Sequence, residues 1–201
     1  MSEKSMKIER DVRDVSEVRE VEAIYPALLK QAYATPSLRQ NILNTSMVSI
    51  YCDYSGHLAH DECGVACTLT CDGSVYVQGR REGYPYPGDS VYGELLAVIF
   101  SLENLLITLE THRPKFAIIY TDYSRIAKFL QQVHLSKHHY ELIRERILAI
   151  LAEVKVKYPD VAVHMKYIGS NRSSNRRNHA LHHMAHLTAR KLIGLYQKEM
   201  P

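Results

Sequence analysis

The chain has 201 residues, 46% of them hydrophobic, with 25 Lys and Arg against 22 Asp and Glu and a formal net charge of +3. That is one domain of ordinary size with enough apolar material for a core, so wholesale disorder is excluded, and the mild basicity argues only weakly for an anionic partner. The first residues are rich in Glu, Lys and Arg and no uninterrupted run of about 18 apolar residues follows, so the reading is a cytoplasmic protein with neither signal peptide nor membrane span.

Residues 1–46 read as a helical N-terminal extension. Val12, Val15, Val18 and Val21 recur every third position and lead to Ile24 and Leu28, with charges in the gaps. Asp14 and Glu17 have the spacing of a capping box, Pro26 interrupts or bends the helix, and Thr35-Pro36 starts a second one. The apolar stripe suits packing on the main domain, pairing with a second copy in a homodimer, or a recognition role. The sequence leaves these open.

From residue 47 to 201 the pattern is that of an α/β domain. Val48-Ser49-Ile50-Tyr51-Cys52-Asp53 reads as a buried strand that ends on a carboxylate, with Ser55-Gly56 as turn residues. A second strand around 63–71 runs into Asp72-Gly73, a strong hairpin signal, and a third follows from Ser74. Gly83-Tyr84-Pro85-Tyr86-Pro87-Gly88 is an irregular loop. The segment from Glu94 to Leu106 is apolar almost all round, as a buried helix is. Phe116 to Thr121 is a wholly apolar strand, as a central parallel strand should be, and Asp122 follows it. A short helix from Ser124 and a longer amphipathic one from about His138 to Lys157 come next. Val161–Ile168 is a fifth strand, and the basic loop Asn171-Arg172-Ser173-Ser174-Asn175-Arg176-Arg177 leads into a last helix. The order is βββαβααβα, an α/β fold with a mixed five-stranded sheet.

Cys63, Cys67 and Cys71 are spaced too far apart along a strand to share one metal, since positions four apart lie about 13 Å from one another. With Cys52 they read as reduced, buried thiols.

Three carboxylates stand out by position. Asp53 ends the first strand, Glu94 opens the buried helix and Asp122 ends the fourth strand. If those two strands are neighbours, the acids share one rim, and crowded carboxylates call for a divalent cation. These segments resemble the ribonuclease H family: Ser49-Ile50-Tyr51-Cys52-Asp53-Tyr54-Ser55-Gly56, then Tyr92-Gly93-Glu94-Leu95-Leu96-Ala97, then Ile118-Ile119-Tyr120-Thr121-Asp122-Tyr123-Ser124. The element order agrees, over about residues 47–195. The resemblance implies a ribonuclease H-like fold and a two-metal endonuclease that uses Mg²⁺, with Mn²⁺ as a substitute, to cut the RNA strand of an RNA–DNA hybrid. It assigns Asp53, Glu94 and Asp122 as metal-binding and catalytic carboxylates.

The chain also departs from the family pattern. The fourth metal-site acid, at the start of the last helix, is replaced by His179 or His182. His179 is preferred, because Asn175 and Leu181 then both match. No loop histidine precedes that helix, and Ser90 and Val91 stand where asparagines often read RNA 2′-hydroxyls. These departures motivate a second reading, a nucleic-acid-binding protein without catalysis, and a third, a nuclease with another substrate. His179, His182, His183 and His186 lie at i, i+3, i+4 and i+7, a face that could hold a transition metal. Arg172, Asn175, Arg176 and Arg177 lie in a loop expected to border the acids, and their side chains suit phosphate oxygens. Tyr84 and Tyr86 are candidates for stacking on bases, and Arg80 and Arg81 for backbone contacts.

Overall fold

The computed structural model describes residues 19–20 (backbone alone), 24–57, 61–169 and 179–195. Its strands are β1 (Arg19–Glu20), β2 (Met47–Gly56), β3 (Glu62–Cys71), β4 (Ser74–Gly83), β5 (Phe116–Thr121) and β6 (Ala162–Tyr167). Its helices are α1 (Pro26–Ala34), α2 (Pro36–Leu43), α3 (Ser90–Thr111), α4 (Ile126–Gln131), α5 (His138–Lys157) and α6 (Ala180–Leu192).

The mixed sheet has the order β4-β3-β2-β5-β6, with the two-residue β1 added beyond β4. β2, β3 and β4 form an antiparallel meander, and β2, β5 and β6 run parallel. The β3–β4 hairpin closes as its sequence requires. Asp72 and Gly73 both take positive φ, 49° and 81°, the backbone of a tight turn whose twist matches its strands.

Because side chains alternate along a strand, the central β2 serves two layers. Val48, Ile50 and Cys52 face α3 and α5, in one core with Leu95, Leu102, Leu105, Leu109, Ile143 and Ile147. Each fully buried Leu here contributes roughly 1.5–3 kcal/mol. α3 spans 22 residues and is long and apolar enough, by length and composition, to cross a membrane, but 67% of its most apolar window is buried within the protein. On the opposite face Tyr51 and Val77 pack with Leu38 and Ile42 of α2 and with Leu181 and Met184 of α6.

The N-terminal segment forms short helices, as the sequence indicates. Pro26 opens α1 rather than bending a longer helix, and Pro36 opens α2 as expected from Thr35-Pro36. Both helices share a core with α6 and the sheet. Arg19 and Glu20, expected within a helix, instead pair with Val77 and Tyr76 at the β4 edge. An open strand edge offers unpaired N–H and C=O groups, and that outweighs a modest helical periodicity. Val12, Val15, Val18 and Val21 lie outside the described residues.

All four cysteines are buried and free. Burial pushes the Cys63 and Cys67 thiols up to about 12, which makes them poor nucleophiles and poor metal ligands.

Candidate metal centre at the strand ends

The parallel register sets Tyr51 of β2 opposite Tyr120 of β5, and their rings stack at 4.6 Å between centroids. Two residues beyond each tyrosine come Asp53, still within β2, and Asp122, just past the end of β5. The tyrosine pair is therefore a rung beneath an aspartate pair. Asn41 of α2 donates to the Tyr51 hydroxyl at 2.6 Å and fixes that rung from the N-terminal helices. Beyond β5 the chain turns at once, because the buried Thr121 hydroxyl accepts from the Tyr123 backbone N–H at 3.2 Å. Asp122 is held in that turn, exposed, while Asp53 is only 3% exposed.

Two glycines bring the helices to this rim. A Cβ at Gly93 would lie 2.2 Å from the Tyr54 ring, so only glycine lets α3 approach β2 closely enough to bring Glu94 to the strand ends. A Cβ at Gly64 would meet the Ala189 carbonyl oxygen at 2.2 Å, and Ala66, Ala185 and Ala189 line the same contact. Small residues on both sides let α6 lie against β3 and carry its histidines over β2.

The result is a cluster. One ligand atom each of Asp53, Asp122 and His182 lie within 4.8 Å of one another, the one such group among the described residues. His182 Nε2 stands 3.7 Å from Asp53 Oδ1, and His186 Nδ1 donates to Asp53 Oδ2 at 2.5 Å. That hydrogen bond raises the His186 pKa against the opposing effect of its burial. Glu94 is 8% exposed. Burial first, then the adjoining Asp122 and Asp53, pushes its pKa up to about 11. Among the described residues no Lys or Arg is ion-paired with Asp53, Glu94 or Asp122, whereas Glu82, Glu103 and Asp89 all have cationic partners. His182 Nε2 and Glu94 Oε2 are buried without a hydrogen-bond partner.

Orphaned buried polar atoms are costly and call for an explanation. A divalent cation is the simplest one, and carboxylates with an imidazole are a competent donor set for it. Beside the acids lies a cleft of about 440 Å³, bounded by Ser90 and Val91 at the start of α3 and by Tyr123, Ser124 and Arg125 after β5.

Several expected site residues fall elsewhere. His179, preferred from the sequence, takes the capping position before α6 and stands outside the acid cluster. Its pKa is lowered by burial and by the adjacent His182. His182, nearly one helical turn further on, reaches the carboxylates instead. His186, on the same helical face as His182 by its i, i+4 spacing, bonds Asp53 and stands outside the three-residue group. Tyr84 is 1% exposed and belongs to the core, so it cannot stack on a base. Tyr86 stacks on His139 at 4.1 Å. Arg80 pairs with Glu82 and Glu103, and Arg81 donates to the Leu192 carbonyl, so both are engaged within the protein. Arg172, Asn175, Arg176 and Arg177 lie outside the described residues.

No family model and no curated protein match the sequence. Solved structures do. Ribonuclease H1 from the halophilic archaeon Halobacterium salinarum matches with a TM-score of 0.54 and 15% identity, over 74% of this chain and 98% of that one. LC11-RNase H1 in complex with an RNA/DNA hybrid matches at 0.51 and 17% identity, over 73% and 99%. The N-terminal RNase H domain of a Mycobacterium tuberculosis protein matches at 0.51 and 12%, over 74% and 97%. With identities of 12–17% the likeness is one of architecture. The chain has a ribonuclease H-like fold, with an acid and histidine cluster at the C-terminal ends of its central parallel strands.

Proposed function

We propose that the chain is a metal-dependent endonuclease that hydrolyses the RNA strand of an RNA–DNA hybrid. The observation that carries this reading is the convergence of Asp53, Asp122 and His182 within 4.8 Å, beside a buried Glu94 and without a Lys or Arg partner among the described residues. Repulsion among carboxylates that close costs free energy unless a cation joins them. The similar LC11-RNase H1 was solved with an RNA/DNA hybrid, which supports the same class of substrate here.

Asp53, Asp122 and His182 would hold a divalent ion, Mg²⁺ or Mn²⁺, and the unpaired Glu94 Oε2 is the donor left for a second. Such an ion supplies Lewis-acid polarisation of a phosphodiester oxygen and a bound water of lowered pKa. The protein's own contribution is placement. The Tyr51–Tyr120 rung fixes the height of both aspartates, and His186 orients the Asp53 carboxylate. The cleft beside Glu94 receives the strand to be cut, with Ser124 and Arg125 offering donors to its phosphates. Arg172, Asn175, Arg176 and Arg177 would grip the flanking backbone.

The test is a labelled RNA–DNA hybrid incubated with the parent and with Asp53→Asn. The substitution should lower the rate by about 1,000-fold, the equivalent of roughly 4 kcal/mol of lost transition-state stabilisation. Equal rates would remove the site.

The His186 bond to Asp53 Oδ2, together with an imidazole where the family pattern has an acid, favours a second reading: a hybrid-binding protein without hydrolysis. Its signature would be hybrid binding unchanged by EDTA, with no product in Mg²⁺ or Mn²⁺.

A further inference from the structure

From the donor set we infer that this centre selects a first-row transition-metal dication over Mg²⁺, and that His182 is the residue that sets the selectivity. The inference rests on the metal-site reading above and goes beyond it, because that reading is indifferent to which ion is bound.

His182 sits near the start of α6, in the helix that Gly64 and the alanines of the contact draw against the sheet. Its ring is mostly enclosed, with a side-chain exposure of 16%, so it cannot swing freely into solvent. The Nε2 atom is buried, has no hydrogen-bond partner and stands 3.7 Å from Asp53 Oδ1. A nitrogen left unpaired beside an acidic oxygen is placed to share a ligand with it.

The second observation is independent of the first. Glu94, more than nine-tenths buried, carries an unpaired Oε2 and lines the same cleft as Asp122. Nitrogen and oxygen donors from α6, β2 and the turn after β5 thus meet at one point, with Glu94 of α3 lining the cleft beside it.

Ion chemistry then decides which cation is held. Mg²⁺ is small and hard, demands near-octahedral oxygen and dehydrates reluctantly. Replacing one carboxylate oxygen by imidazole removes an anionic donor from its shell and offers one it uses poorly. First-row transition dications accept imidazole readily, and their affinities rise from Mn²⁺ toward Cu²⁺. His186 works in the same direction. It donates to Asp53 Oδ2 and leaves Oδ1 as the free oxygen on the His182 side. Asp53 therefore offers one oxygen beside one nitrogen.

Mn²⁺ is the stringent probe, being the weakest ion of that series. The full chain is freed of metal with a chelator and titrated with Mn²⁺, with free Mn²⁺ read by electron paramagnetic resonance and Mg²⁺ added as competitor. Half-displacement should need about 100-fold more Mg²⁺ than Mn²⁺, and His182→Asp should narrow that ratio about tenfold by restoring an oxygen donor. An unchanged ratio in a folded His182→Asp protein overturns the inference. A measurement on the parent alone guards against a variant that does not fold. Electron spin-echo spectra of bound Mn²⁺ should carry ¹⁴N modulation from a directly coordinated imidazole, and its absence also overturns the inference. The nuclease reading fails separately: Mn²⁺ held with ¹⁴N modulation but no cleavage of a hybrid would remove the activity and uphold the selectivity.

Discussion

Two carboxylates at the start of α3, five residues apart, live in opposite conditions. Asp89 caps the helix. It accepts from the Tyr92 backbone N–H at 3.2 Å and from the Tyr140 hydroxyl at 2.6 and 2.8 Å, with Lys137 and His139 within 3.7 Å. Burial alone would raise its pKa, but the Tyr140 hydrogen bonds and these neighbours together lower it. Glu94, one turn on, is buried among other acids with Oε2 unpaired, and its pKa is raised to about 11. The first carboxylate holds the fold together. The second strains it, which is tolerable when something absent from the bare protein completes it. A stabilising acid and a ligand-seeking acid are told apart by their partners, not by their burial.

The largest effect should come from Glu94. In the metal-free protein its folded pKa lies above the unfolded value, so the native state keeps a proton that the unfolded chain has released. Stability then falls as pH rises, by up to about 1.4 kcal/mol per pH unit, across the window from 4.5 to about 11. Denaturant melts of chelator-treated protein should show this slope in the parent and lose it in Glu94→Gln. The variant should match the parent near pH 4 and be the more stable at pH 8. Equal slopes would mean that Glu94 is not strained.

Asp89 should behave in the opposite way. Its depressed pKa contributes stability that is complete above the unfolded value of 3.8 and disappears as pH falls through the lower folded one. Asp89→Ala should destabilise by about 1–2 kcal/mol in urea titrations, the usual cost of a lost N-cap with its hydrogen bonds. Tyr140→Phe should cost about 1 kcal/mol. A neutral Asp89→Ala would erase the contrast between the two acids.

His186 gives the smallest effect. Its pKa is raised by the hydrogen bond to Asp53, so its contribution is complete below the unfolded value of 6.5 and disappears as pH rises through the folded one. The ring is partly exposed, and solvent screening keeps the loss in His186→Ala below about 1 kcal/mol at pH 6. A loss that persists undiminished at pH 9 would point to packing instead.

Much of this was legible in the sequence, for identifiable reasons. The two parallel strands carry apolar runs that stop at Asp53 and Asp122, and the Asp72-Gly73 pair leaves little choice of turn. What the sequence left open is rotation and contact. Matching Asn175 and Leu181 to a pattern selects His179, but which residue of a helix faces a carboxylate depends on how the helix lies on the sheet. Gly64, Ala66 and Ala189 set that, and they sit on elements far apart in the chain. The three-residue spacing of valines suggested one helix through Arg19 and Glu20, where an available strand edge decided otherwise. Tyr84 reads as a loop residue between turn formers. It is buried because Gly56 leaves room for its ring, with a Cβ at that position only 3.1 Å away.

A cation held by Asp53, Asp122 and His182 would stabilise the folded chain, and thermal unfolding tests this most directly. Chelator-treated protein should gain about 2.7 kcal/mol when Mn²⁺ is supplied at a hundredfold its dissociation constant, and melt correspondingly higher. Asp122→Asn, at an exposed position where the change does not disturb the core, should show no such gain. A parent protein indifferent to Mn²⁺, or a variant that gains as much, would contradict the metal centre.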